Sequence, residues 1–153
     1  MTSAQAHFAD PSGGSPTAEG RFVDVSGIAP VELVPGLLFR PVLGEETMVN
    51  FVNFAPHTEA PRHAHSEEQI VIVLEGEFEF ELDGQTRTMR RGDVAVIPSF
   101  VPHAARTGDG HCFEVDVFNP PRETLLEHAR EQRARAVAPG VTPGGDPLNP
   151  ADG

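Results

Sequence analysis

The sequence predicts an all-β domain closed by one short C-terminal helix, and three observations carry that reading. Turn-forming residues recur at short intervals through the middle of the chain. The runs between them are short and rich in Val, Ile, Leu and Phe, and one run alternates strictly between apolar and acidic side chains. Many short strands at such spacing build an antiparallel sandwich or barrel.

Taken in order, Leu37–Leu43 and Met48–Phe54 read as strands separated by the turn Gly44-Glu45-Glu46. Residues 69–74 form a continuous apolar run, as expected of a strand buried on both faces. Gly76 is expected to break it. Residues 77–82 then alternate, which turns Phe78, Phe80 and Leu82 inward and the three glutamates outward. Asp83-Gly84 follows as a two-residue hairpin turn, both positions favouring positive φ. Strands are expected again at 86–89, Val94–Ile97, 103–107 and 112–118. A helix should open at Pro121-Arg122-Glu123-Thr124, since Pro is tolerated in a first turn. Leu125, Leu126, Ala129, Arg133 and Val137 share its apolar stripe, and Pro139-Gly140 stops it.

A chain of 153 residues is about one domain's worth. Residues 1–20 and 138–153 are rich in Ala, Gly and Pro and lack apolar periodicity, so both are expected to be disordered tails around a working domain of residues 21–137. No apolar run approaches the ~18 residues of a membrane span. Residues 1–20 show no basic stretch followed by an apolar one, so a cytoplasmic location is expected. Acidic residues outnumber basic ones 23 to 11, giving a net charge of −12, which argues against a nucleic-acid partner. The single cysteine, Cys112, cannot form an internal disulfide, and its apolar neighbours Phe113, Val115 and Val117 suggest a buried, inert thiol.

The chemistry concentrates around His63-Ala64-His65. On an extended strand, residues i and i+2 face the same way with Cα atoms roughly 6.5–7 Å apart. Two imidazoles can then converge on one ion with bonds of about 2.0–2.2 Å. Gln69 has the same parity, and His103 arrives from a separate strand after Ile97-Pro98-Ser99-Phe100-Val101-Pro102. Alone, each histidine reads as a surface or core residue; together they read as a site. Glu67 or Glu68 could ligate in place of Gln69, although both are expected to face solvent. His57 is a candidate for supporting the ligands, and His7, His111 and His128 are expected to be solvated.

The punctuation around these residues resembles that of the cupin superfamily. His63, His65, Gln69 and Gly76 match its first motif, and Gly92, Pro98 and His103 match its second. The resemblance extends over residues 34–126. It implies a double-stranded β-helix, or jelly-roll barrel, holding one divalent metal ion through His63, His65, Gln69 and His103. Ni, Zn, Fe, Mn and Co all suit such ligands. It also implies a small-molecule substrate and a homodimer, with Val23–Leu33 pairing between subunits.

Gln69 stands where the superfamily usually has glutamate. A neutral amide leaves the ion's charge uncancelled, which favours Lewis-acid chemistry. Glutamine here is similar to the KdgF-type cupins of pectin degradation, which open 4,5-unsaturated uronates to a linear keto form. The stretch Asp116-Val117-Phe118-Asn119-Pro120-Pro121-Arg122-Glu123 matches that group's signature. By this resemblance Asp116 and Arg122 are catalytic, and Phe118 and Arg122 bind substrate. A buried carboxylate suits proton transfer, and a guanidinium suits a substrate carboxylate. The chain has no Tyr to serve as a base. Three alternatives remain open at this point: a cyclase or isomerase of polyketide or other natural-product biosynthesis, an Fe(II) dioxygenase, and a non-catalytic ligand-binding cupin.

Overall fold

A computed structural model describes residues 2–9 and 14–136. Nine strands follow one another: β1 (Val31–Val34), β2 (Leu37–Leu43), β3 (Met48–Phe54), β4 (Glu59–His63), β5 (Glu68–Leu82), β6 (Gln85–Arg90), β7 (Val94–Ile97), β8 (His103–Arg106) and β9 (Cys112–Asn119). Helix α1 (Ser3–His7) precedes them and helix α2 (Glu123–Ala136) closes the chain. All pairings are antiparallel, in the order β1-β2-β3-β9-β5-β8-β4, with β6 and β7 also on β5.

Strand β5 organises the barrel. Its first half pairs with β9 and β7, and its second half with β6 and β8. The strand therefore passes from one sheet into the other, and the two sheets close as a jelly roll. Gly76 was expected to end a strand here, yet the ladder continues through it. Gly76 has φ +74°, and a Cβ there would stand 2.1 Å from the His111 carbonyl oxygen. The glycine lets the strand bend against a close neighbour while it changes partners, with a register shift between Val73 and Glu75. The hairpin after it is as expected, with φ of 48° at Asp83 and 80° at Gly84.

Phe39, Phe54, Phe78, Phe80, Val71 and Val73 fill the space between the sheets. The outer surfaces of the two sheets differ. Around the second half of β5, Glu77 pairs with Arg90 at 2.9 Å, Glu79 with Arg106, and Glu81 with Arg62 at 3.5 Å. Around the first half, the outward row of β5 is Ile70, Ile72 and Leu74. Their neighbours are Val94 and Val96 on β7 and Val115 and Val117 on β9.

Helix α2 buries Leu125, Leu126 and Ala129, and Gln132 Nε2 donates to the Glu32 carbonyl at 2.8 Å, tying the helix to β1. Val137, the stop at Pro139-Gly140 and the expected tail 138–153 lie outside the described residues. At the other end, α1 buries nothing, Thr17 Oγ1 donates to Glu45 Oε2 at 2.6 Å, and Arg21 donates to the Leu43 carbonyl. Residues 23–33 supply a 3₁₀ turn (Val25–Gly27) and the start of β1, which pairs with β2 of its own chain. Cys112 is wholly buried, and burial pushes its thiol up to about 12, consistent with an inert role.

Candidate metal centre

The histidines meet where the chain crosses between sheets. His63 ends β4 and stands opposite His103 at the start of β8. Strand β5 begins in the other sheet at Glu68, and His65 lies on the connection. His63 and His65 therefore do not share one extended strand, as their spacing had suggested. Instead the Phe100 N–H donates to the His65 carbonyl at 2.7 Å, fixing the connection against the loop before β8.

The ring centroids of His63 and His103 are 4.3 Å apart, those of His65 and His103 5.0 Å, and those of His63 and His65 5.7 Å. Their candidate ligand nitrogens all lie within 4.8 Å of one another. Each Nδ1 faces a backbone carbonyl: Pro61 at 2.7 Å for His63, Glu67 at 3.1 Å for His65, and Val101 at 2.9 Å for His103. A carbonyl can only accept, so each Nδ1 carries the proton and each Nε2 keeps its lone pair. Desolvation lowers the proton affinity of all three rings, that of His103 to about 4, so all are neutral at pH 7. His103 Nε2 is buried without a hydrogen-bond partner. Three neutral imidazoles, one with an orphaned buried lone pair, are positioned to bind a metal ion.

Gln69, the second residue of β5, is 6% exposed. Its Nε2 donates to Asp116 Oδ1 at 2.6 Å, and its Oε1 lies 3.1 Å from His65 Nε2. An ionised carboxylate accepts only, so Asp116 orients the amide and turns its oxygen toward the histidines. Two adjacent ligands on an octahedral ion, each about 2.1 Å from it, stand about 3 Å apart. Gln69 Oε1 and His65 Nε2 already have that separation. A glutamate in this place would set its carboxylate against that of Asp116.

Asp116, Phe118 and Arg122 line the same cavity, of about 80 Å³, as His63, Gln69 and His103. Burial pushes Asp116 up to about 6, against the opposing effects of hydrogen bonds from Gln69 and Glu114 and the charge of Arg122. Phe118 is 1% exposed, with its ring centroid 5.8 Å from that of His65. Arg122 precedes α2, and its Nε is buried without a partner. Phe39, Phe54, Phe78 and Phe80 supply most of the remaining wall, and the buried Asn50 and Glu114 add polar atoms to it.

Two acids were not anticipated in their positions. Glu67 was expected to face solvent, but its side chain is only 16% exposed and Oε2 lies 3.3 Å from His65 Nδ1. It backs the ring that faces the centre, as carboxylates commonly do behind ligating histidines. The His-x-Glu spacing is the sequence signal for it. Glu114, two residues before Asp116 on the inner face, is 3% exposed, and its proton affinity is raised by burial first and then by the charge of Asp116. The shared parity of Cys112, Glu114, Asp116 and Phe118 marks it. Glu68 is exposed, as expected. His57 does not support the ligands: it lies before β4, at the end opposite His63, and pairs with Asp109 at 3.0 Å.

Strands wound as a jelly roll around three convergent histidines define a cupin. Residues 50–118 match the cupin domain family, and the chain is a small cupin. It resembles KdgF from Halomonas sp., at 28% identity over 71% of this chain and 100% of that one, with a TM-score of 0.67. A RmlC-like cupin from Shewanella frigidimarina matches at 27% identity over 70% of this chain and 96% of that one, with a TM-score of 0.65. The polyketide cyclase RemF from Streptomyces resistomycificus shares the fold, at 23% identity over 68% of this chain and 82% of that one, with a TM-score of 0.61. A cupin-domain-containing oxidoreductase, virC of Hypocrea virens, is 41% identical over 51 residues, which are 33% of this chain and 26% of that protein. The match thus spans about a quarter of the length of that curated relative.

Proposed function

We propose that this chain is a divalent-metal-dependent enzyme that opens or isomerises a small oxygenated ring without net redox change, its substrate being a 4,5-unsaturated uronate. The observation that carries the reading is the clamp of Gln69 between Asp116 and His65. His63, His65, His103 and the Gln69 amide oxygen would hold the ion. When bound, it supplies Lewis-acid polarisation of a substrate oxygen. Asp116 holds its proton in the range where a carboxyl group can both give and take one near neutral pH. Arg122 offers an unpartnered Nε to the substrate carboxylate. Phe118 closes the wall beside His65 and keeps water from the reacting face.

The phenylalanine-rich wall favours a second reading, in which the same centre cyclises or isomerises an apolar polyketide. The two separate in one assay. Metal-loaded protein is incubated with 4,5-unsaturated galacturonate, and the enol-ether absorbance is followed. Decay faster than in buffer, lost in Arg122→Ala, supports the uronate reading. Decay at the buffer rate removes it and leaves the apolar substrate. An active zinc form excludes a dependence on Fe(II) and oxygen.

A further inference from the structure

We propose that Asn50 and Glu114 form a second recognition point in the cavity, binding the adjacent C2 and C3 hydroxyls of the uronate ring. Asn50 comes from β3 and Glu114 from β9, and both line the cavity that Gln69 and Asp116 line. The strand register sets Asn50 opposite Asp116 and Val52 opposite Glu114. Asn50 and Glu114 are therefore diagonal neighbours on the inner face, with Cβ atoms about 7 Å apart. They are 2% and 3% exposed. Asn50 Oδ1 and Glu114 Oε2 are nonetheless buried without a hydrogen-bond partner. Two such acceptors side by side cost the free chain stability, and neither residue is among those placed around the ion.

What the two oxygens lack is a donor each. A hydrogen bond joins the carboxyl groups of Glu114 and Asp116, and burial keeps the proton on Glu114. That proton points to Asp116, which leaves Glu114 Oε2 as a neutral acceptor. A cation is disfavoured here, because the acid is uncharged and the Arg122 guanidinium lines the same cavity. Adjacent hydroxyls fit, one donating to each oxygen. The orientation follows from Arg122. It lines this cavity and also an outer chamber shared with Leu33, Arg62 and His128, where Leu33 and Arg62 are exposed. Asn50 and Glu114 line the inner cavity and not the outer chamber. A carboxylate held by Arg122 thus lies toward the mouth, and the far edge of the ring lies toward Asn50 and Glu114. In a 4,5-unsaturated uronate the carboxylate sits on C5, and the C2–C3 edge with its two hydroxyls is across the ring. The assignment rests on the uronate reading of the site.

Steady-state kinetics of the metal-loaded chain on 4,5-unsaturated galacturonate and its 2,3-dideoxy analogue test the proposal. Deoxygenation also alters the ring's own reactivity, so the margin in kcat/KM between the two substrates is compared between chains. Asn50→Val should lose about 10- to 100-fold on the galacturonate and narrow that margin by the same factor, since it has one acceptor fewer to satisfy. Without substrate, its Tm should equal or exceed that of the unaltered chain, because an unpaired buried polar group has been replaced by an apolar one. Asn50→Ala repeats the comparison with a smaller side chain. A several-degree fall in Tm in both variants would give Asn50 a structural role and overturn the proposal. Turnover with the same margin in all three chains would overturn it and leave the uronate reading standing. No turnover of either substrate by the unaltered chain would overturn both.

Discussion

The two halves of β5 carry opposite outer surfaces. Beyond Gly76 the outward residues are glutamates paired with arginines of β4, β6 and β8. Before it they are Ile70, Ile72 and Leu74, flanked by valines. One strand thus shows a surface finished for water and a surface that water poorly satisfies. Between the sheets, the same strand brings Gln69 to the histidines. The difference is positional: the inner face gathers the candidate metal ligands, one outer face carries ion pairs, and the other is apolar.

The largest effect should come from the inner face. Asp116→Asn keeps the size and the acceptor for Gln69 Nε2 but removes the titrating proton. Turnover on the uronate should fall about 10²- to 10⁴-fold, the usual contribution of a positioned acid or base. Metal content, read by elemental analysis, should be unchanged. A variant with full turnover would break the division between chemistry inside and solvation outside.

Adjacent residues on β5 sharpen the comparison further. Phe78 points inward at 2% exposure and Glu79 outward. In urea denaturation, Phe78→Ala should cost about 3–5 kcal/mol. Glu79→Ala loses an exposed pair with Arg106 and should cost less than about 1 kcal/mol. Comparable losses would mean that the outer pairs carry more than solvation.

Asp116 also predicts a pH dependence. Its carboxyl group is raised from 3.8 to about 6 by burial, so the folded chain keeps a proton that the unfolded chain releases. That contribution to stability is complete below about pH 4 and is lost as the pH rises through about 6. Asp116→Asn has no such loss. Its Tm relative to the unaltered chain should therefore climb between pH 4 and 6 and level off above, by up to about 3 kcal/mol in stability. A flat difference would place the carboxyl group in a more solvated setting.

Much of this arrangement was legible in the sequence. The alternation of 77–82 fixed one face of β5, and Asp83-Gly84 fixed its turn, because period and turn chemistry are local properties. The parity of Cys112 to Phe118 placed Asp116 and Phe118 inside. What escaped was set by tertiary contacts. Gly76 reads as a breaker in isolation, but the nearby His111 carbonyl makes it a bend. Glu67 reads as a solvated acid, but the connection on which it lies folds back behind His65. His57 is near the ligands in sequence, yet β4 separates the two by its full length.

His63, His65 and His103 are positioned to hold one ion, and calorimetric titration of the chelator-stripped chain with Zn²⁺ or Ni²⁺ tests this most directly. One ion should bind per chain, and His103→Ala, which deletes the orphaned buried Nε2, should abolish that binding. Undiminished binding in that variant, or none in the unaltered chain, would contradict it.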